Sequence, residues 1–235
     1  MTKIYKTKIK LYPSGIKQLT VYKDSILVKN GEKKVTLYSE VEKGKSEEDF
    51  QREKQRELWK IKTKIKDYVL CNDFDQFWTL TFNSDRYDYS IAFEKMSKWL
   101  RKMRDKYGRF NYIVIPELHK DGAIHFHAVF GNFKGKLVNS GKKHKNVTVW
   151  NSSDWEYGFT TITRMRNKER CASYVTKYFT KDMQNSIVGK NKKKYWLSRD
   201  LKKPVVSYSS LDLSAELEVE PDFESDMCRI YKIQC

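Results

Sequence analysis

Apolar and polar residues change their period along this chain, and each change marks an element. Over the first forty residues lysines alternate with β-formers, as in Lys3-Ile4-Tyr5-Lys6, Leu19-Thr20-Val21-Tyr22 and Ser25-Ile26-Leu27-Val28. Asn30-Gly31 is a turn signal between two such runs. This predicts a small β-rich extension with a basic surface. Across Glu47–Val69 the spacing becomes helical: Phe50, Leu58, Ile61, Ile65 and Tyr68/Val69 recur among charges, predicting a long amphipathic helix. From Gln76 the run Phe77-Trp78-Thr79-Leu80-Thr81-Phe82 reads as a strand. A helix follows over Tyr89–Tyr107, with Phe93, Met96, Leu100, Met103 and Tyr107 on one stripe and Gly108 ending it. Strands over Asn111–Leu118 and Ile124–Phe130 come next, then a Lys-rich loop through Lys134–Lys145, a strand near Phe159–Thr163 and a helix from about Asn167 to about Met183. The order predicts an α+β fold, an antiparallel sheet with helices on one face. We divide the chain into a β-rich extension with its helix (1–70), a main domain (71–204) and an acidic tail (205–235).

Composition narrows the partners. Hydrophobic residues make up 39% of the chain and aromatics 14%, enough for a core, so the chain is not a disordered tail. The net charge of +17 points to a polyanion, with nucleic acid as the default. Cys71, Cys171, Cys228 and Cys235 match no zinc finger or disulfide scaffold, so we expect reduced thiols in a bacterial cytosol. With no long apolar stretch, we expect neither secretion nor a membrane span. Between Pro204 and Cys228 there is no Lys or Arg, while Asp212, Glu216, Glu218, Glu220, Asp222, Glu224 and Asp226 accumulate. Such a run is read as a solvated tail rather than a DNA mimic.

The candidate chemistry starts at Ile124-His125-Phe126-His127. Side chains alternate across a strand, so His125 and His127 share one face, about 7 Å apart. With Lys120-Asp121-Gly122 as a three-residue loop and Gly122 in the left-handed position, Glu117 faces His125 and Ile115 faces His127. Glu117, His125 and His127 then gather on one side. A two-residue turn would pair Glu117 with Phe126 and break the set. His119 falls on the same face nearer the turn, as a fourth ligand, a phosphate contact or a hydrated turn residue. Two imidazoles and a carboxylate suit zinc, manganese or iron, and less ideally magnesium.

Further along, Tyr174, Lys177, Tyr178 and Lys181 cluster on one helix face, beside an apolar edge of Cys171, Val175 and Phe179. A phenol beside an ammonium is one way to build a nucleophile. Thr79 and Thr81 share a strand face as candidate DNA contacts, while Trp78, Leu80 and Phe82 fill the core. The Lys134–Lys145 loop and the run containing Lys192, Lys193, Lys194 and Trp196 mix cations with aromatics, as single-strand binders do. The segment from Gly131 to Leu137 is one residue short of a phosphate loop and lacks its final Ser/Thr. With no NTPase domain, unwinding is left to a host helicase and replication machinery.

Three of these segments together resemble the motifs of the HUH endonucleases, in particular rolling-circle replication initiators of bacterial plasmids and phages. They are Phe77–Phe82, Glu117–His127 and Tyr174-Val175-Thr176-Lys177-Tyr178; Tyr195–Pro204 is also similar to a trailing segment of bacterial and phage members. The resemblance covers roughly Asp73–Pro204. It implies a ferredoxin-like antiparallel sheet with a central histidine strand. It also implies site-specific nicking and joining of single-stranded origin DNA through a 5′-phosphotyrosine. The implied metal ligands are His125 and His127, with Glu117 as the added carboxylate, and the implied cofactor is Mg²⁺ or Mn²⁺. The implied nucleophile is Tyr174, with Lys177 as the motif lysine. Tyr178 fits the spacing of a second tyrosine found in some phage initiators and equally the apolar edge of its helix. Rival readings are a transposase or relaxase of the same superfamily, a metal hydrolase that activates water, and a non-catalytic DNA-binding regulator. Oligomeric state is not legible.

Overall fold

The computed structural model describes residues 2–29, 46–119, 121–177 and 195–234. In chain order its elements begin with β1 (Thr2–Leu11), β2 (Ile16–Lys29), α1 (Glu47–Cys71), β3 (Gln76–Phe82), α2 (Tyr89–Tyr107), β4 (Asn111–Leu118) and β5 (Ile124–Gly131). They continue with β6 (Val138–His144), β7 (Val147–Asn151), β8 (Gly158–Arg164), α3 (Lys168–Lys177), β9 (Trp196–Leu197), β10 (Val205–Ser209), β11 (Phe223–Glu224) and β12 (Cys228–Gln234). The fold is α+β, with two antiparallel sheets and, among the described residues, three helices. It divides into two compact units: Met1–Lys45 with Lys203–Cys235, and Ser46–Lys202.

The first unit is a five-stranded sheet in the order β10-β1-β2-β12-β11. Residues 205–235 are therefore not a solvated tail. β10 pairs with β1, and β12 pairs with β2 from Cys228↔Tyr22 to Gln234↔Ile16. A lone hairpin is marginal in water, and the C-terminal strands complete the β1–β2 hairpin into a sheet with a small core. That core holds Leu19, Val21 and Tyr231, packed by Ile9, Leu213, Leu217 and Ile233. The acidic residues sit mostly in the connection between β10 and β12. They mask the β-pattern of Cys-Arg-Ile-Tyr-Lys-Ile-Gln that follows.

The second unit begins at α1, so the long helix belongs with the main domain and not with the extension. Ser46 caps α1: its Oγ accepts from the Asp49 amide while the Asp49 carboxylate accepts from the Ser46 amide. α2 starts at Asp88, whose carboxylate accepts from the Ile91 amide, and stops at Gly108, where φ of 79° lets the cap amide reach Arg104 O. The sheet runs β6-β7-β8-β3-β5-β4-β9, with the histidine strand β5 between β3 and β4. One face carries Trp78, Leu80, Phe126, Ala128 and Phe130 and packs against Ala92, Met96, Trp99, Leu100 and Met103 of α2. This is the core that the α2 stripe predicts.

The other face bears Thr79, Thr81, His125 and His127, and α3 lies over it: Tyr174 sets its ring edge-on against Phe77, and α3 packs against α1. The helices thus lie on both faces, not one. The polar face still contains fully buried Ile113, Ile115 and Val129, which need a cover as much as the aromatic face does. The expected Lys-rich loop is a hairpin, β6–β7, closed by Lys145 and Asn146, both at positive φ. Gly131 ends β5 against the chain entering β3: a Cβ there would lie 1.9 Å from Asp73 O. Its glycine serves this close approach. Among the described residues no helix is long and apolar enough to cross a membrane.

Candidate active site

The β4–β5 turn has the geometry that the glycine position predicts. Gly122 takes φ of 84°, its amide donates to His119 O at 2.9 Å, and the His119 amide donates to Ala123 O at 2.8 Å. The register follows: Glu117 lies opposite His125 and Ile115 opposite His127. A carboxylate and two imidazoles thus share one sheet face. Glu117 Oε2 sits 2.5 Å from His127 Nε2, with the His127 side chain only 6% exposed. His119 stacks on His125, ring centroids 5.2 Å apart, and its Nδ1 is 3.4 Å from Asp121 Oδ1.

Strand β3 fixes the rings from the other side. Thr79 opposes His127 and Thr81 opposes His125. Thr79 Oγ1 lies 3.2 Å from His127 Nδ1, and Thr81 Oγ1 lies 3.3 Å from His125 Nδ1. Both threonines therefore touch imidazoles, a role that sequence reading assigned to DNA. Hydroxyls on both Nδ1 atoms leave Nε2 as the ligand end of each ring. Burial depresses the His125 pKa, and nearby His119 and His127 push it the same way. Burial alone would raise the Glu117 pKa, but the hydrogen bond and charge of His127 outweigh it and keep the carboxyl below its usual value.

The phenol reaches this cluster through one aromatic ring. Phe77 stacks on His127 with centroids 5.8 Å apart, and Tyr174 meets Phe77 edge-on at 5.0 Å. Tyr174 is 46% exposed, and Lys177 Nζ stands 5.9 Å from its ring centroid. Cys171 and Val175 are buried on the apolar edge; burial pushes the Cys171 thiol up to about 12. Phe77 is the residue that sequence reading missed. Its alternation with Thr79 and Thr81 put it on the imidazole face all along.

Trp196, expected at a DNA surface, belongs to the core. It is 3% exposed, packs on Phe93 and Phe126, and its indole N–H donates to Ser97 Oγ at 3.1 Å. The β9–β4 pairing carries it under α2, where a large ring is worth more buried than in water. Tyr178, Lys181, Lys192, Lys193 and Lys194 lie outside the described residues, as do Asn30-Gly31 and Lys120.

Glu117, His125 and His127 suit a divalent ion in donor type and in shared face. Among the described residues, no group of three or more His, Cys, Asp or Glu side chains is gathered closely enough to hold one. Glu117 and His127 are joined directly, so an ion between them would replace that hydrogen bond.

Residues 75–183 match the family model of the ORF2-type replication-associated protein. No curated protein and no solved structure matches the chain. The matched segment runs from the start of β3 past the end of α3 and so includes Thr79, Glu117, His125, His127 and Tyr174. Its similarity to replication-associated proteins supports a role for this chain in DNA replication, with DNA as its partner.

Proposed function

We propose that the chain is an HUH-type replication initiator that nicks and rejoins single-stranded origin DNA through Tyr174. The observation that carries this reading is the convergence of Glu117, His125 and His127 on one sheet face with Tyr174 one ring away, inside the segment similar to replication-associated proteins. The central position of the histidine strand agrees with the ferredoxin-like sheet that the resemblance implies.

In the proposed reaction the Tyr174 oxygen attacks the scissile phosphorus in line. A phosphorus–oxygen bond to tyrosine forms, the bond to the 3′-oxygen breaks, and that oxygen leaves with a proton as a free 3′-OH. Glu117, His125 and His127 would hold Mg²⁺ or Mn²⁺, which would supply positive charge at a non-bridging phosphate oxygen. Lys177, beside the Tyr174 ring, steadies the phenolate or the phosphate. The phosphotyrosine conserves the bond energy of the phosphodiester, so a later 3′-OH can reverse the step and close a circle without ATP. Unwinding falls to a host helicase.

The test is incubation of the full chain with labelled single-stranded origin oligonucleotides and Mn²⁺. A denaturant-resistant conjugate mapped to Tyr174 by mass spectrometry, and lost in Tyr174→Phe, is expected. Cleavage that leaves no conjugate and survives Tyr174→Phe would make the chain a metal hydrolase. DNA binding that survives alanine at both His125 and His127, with no cleavage by the wild type, would make it a regulator.

A further inference from the structure

The β6–β7 ribbon carries charge that the molecule does not cancel. Lys134, Lys136, Lys142, Lys143 and Lys145 are all exposed, and none is ion-paired among the described residues. No Asp or Glu occurs between Asp121 and Asp154. The lysines of α2 are treated differently: Lys95 pairs with Asp85 at 2.7 Å, Lys98 with Glu94 at 2.6 Å, Lys102 with Glu156 at 2.7 Å and Lys106 with Asp154 at 2.8 Å. Exposed pairs of this kind add little stability. Their effect is to neutralise one surface while the ribbon keeps its charge.

The ribbon is also built to project. β6 is an edge strand paired only with β7, and β7 reaches β8 only through Trp150↔Ile162. Beyond that rung the two strands continue alone through Lys143↔Thr148 and His144↔Val147 to the Lys145-Asn146 turn. A bulge between Asn139 and Lys143 bends the ribbon, with Gly141 at φ of 73° and Ser140 Oγ donating to Val149 O at 2.7 Å. Lys143 and His144 point to opposite faces of the tip. The tip extends past the rung of Phe77, the residue that carries the Tyr174 ring.

The mixture of cations and aromatics that suggested a single-strand surface is not present in the folded ribbon. No Phe, Tyr or Trp lies between Lys134 and Val149. Phe133 is buried, and Trp150 packs on the core. Single-strand binders rely on exposed rings that stack on bases, and the tip offers none. A two-stranded β-ribbon fits the major groove of B-DNA, where phosphates flank it on both sides.

We propose that the β6–β7 ribbon is a docking arm for duplex DNA, seated in the major groove of the double-stranded segment beside the strand to be cut. Its biological role rests on the nicking reading above; its test does not. The Tyr174→Phe chain is titrated in EDTA, where no cleavage occurs, against a duplex, a single strand and an RNA duplex of one sequence. The same titrations are made with Lys142→Ala, Lys143→Ala and Lys145→Ala added. The added substitutions should weaken duplex DNA binding at least about tenfold and reduce the slope of log K against log salt by about 3, while changing single-strand affinity less than about twofold. The parent chain should also protect guanine N7, an acceptor displayed in the major groove, from methylation, and the substituted chain should not. Unchanged duplex affinity and slope, equal losses on duplex and single strand, a larger loss on RNA, or N7 left unprotected by the parent would each overturn the proposal. Matching circular dichroism spectra of parent and substituted chains exclude misfolding as the cause of a loss.

Discussion

Thr79 and Thr81 are the residues through which β3 acts on the candidate site. A hydroxyl both donates and accepts, unlike a carboxylate or a carbonyl. With Glu117 ionised, His127 Nε2 donates to it, and Nδ1 of the neutral ring then accepts from the Thr79 hydroxyl. When Nε2 coordinates a cation, Nδ1 carries the hydrogen and the hydroxyl accepts. One side chain therefore holds the ring in both states. Thr79→Val keeps the shape and removes the partner, and we expect Mn²⁺ affinity, read by electron paramagnetic resonance titration, to fall about 10-fold or more. Thr79→Ser should restore it, and an unchanged affinity in Thr79→Val would remove the threonine from this role. At this scale Glu117, His125 and His127 were legible because a strand has a period of two and Gly122 fixed the register. The threonine contacts were not, because nothing local says that β3 lies beside β5.

At the scale of elements, the close approach of β5 to the segment entering β3 is the most exacting contact. Gly131→Ala would press a methyl group into the backbone at Asp73, with no flexible side chain to yield. We expect a loss of about 1–3 kcal/mol or more, measured by urea denaturation; a cost of a few tenths would show that the two strands can separate there freely. α2 was legible end to end, since its apolar stripe, its Asp88 cap and Gly108 all agree. The β6–β7 hairpin was not. Its lysines hide any alternation, and its turn residues Lys145 and Asn146 form a far weaker signal than Asn-Gly.

At the scale of the whole molecule, the N- and C-terminal segments meet in one sheet. Tyr22 lies in it opposite Cys228. Burial, with Tyr208 and Cys228 adding, pushes the Tyr22 phenol from 10.0 up to about 12. Between those values the folded chain keeps a proton that the unfolded chain has released, so this residue's contribution to stability is whole below pH 10 and is lost as pH rises towards 12. We expect Tyr22→Phe to shift alkaline unfolding, followed by circular dichroism, to higher pH. An unshifted midpoint would mean that Tyr22 ionises without strain in the folded sheet.

The sequence by itself determined what depends on near neighbours: the helices α1 and α2, the strands β3, β4 and β5, the register of the central hairpin, and the sharing of one face by Glu117, His125 and His127. Period, caps and turn glycines act over a few residues and need no knowledge of the rest. Tertiary structure alone decided which strands lie side by side. It brought Thr79 and Thr81 onto the imidazoles, placed Phe77 between Tyr174 and His127, buried Trp196, and joined the acidic C-terminal segment to the first hairpin. Each of these pairs residues far apart in the chain, and the contact is set by which apolar faces must be covered, a requirement that no short window of sequence contains.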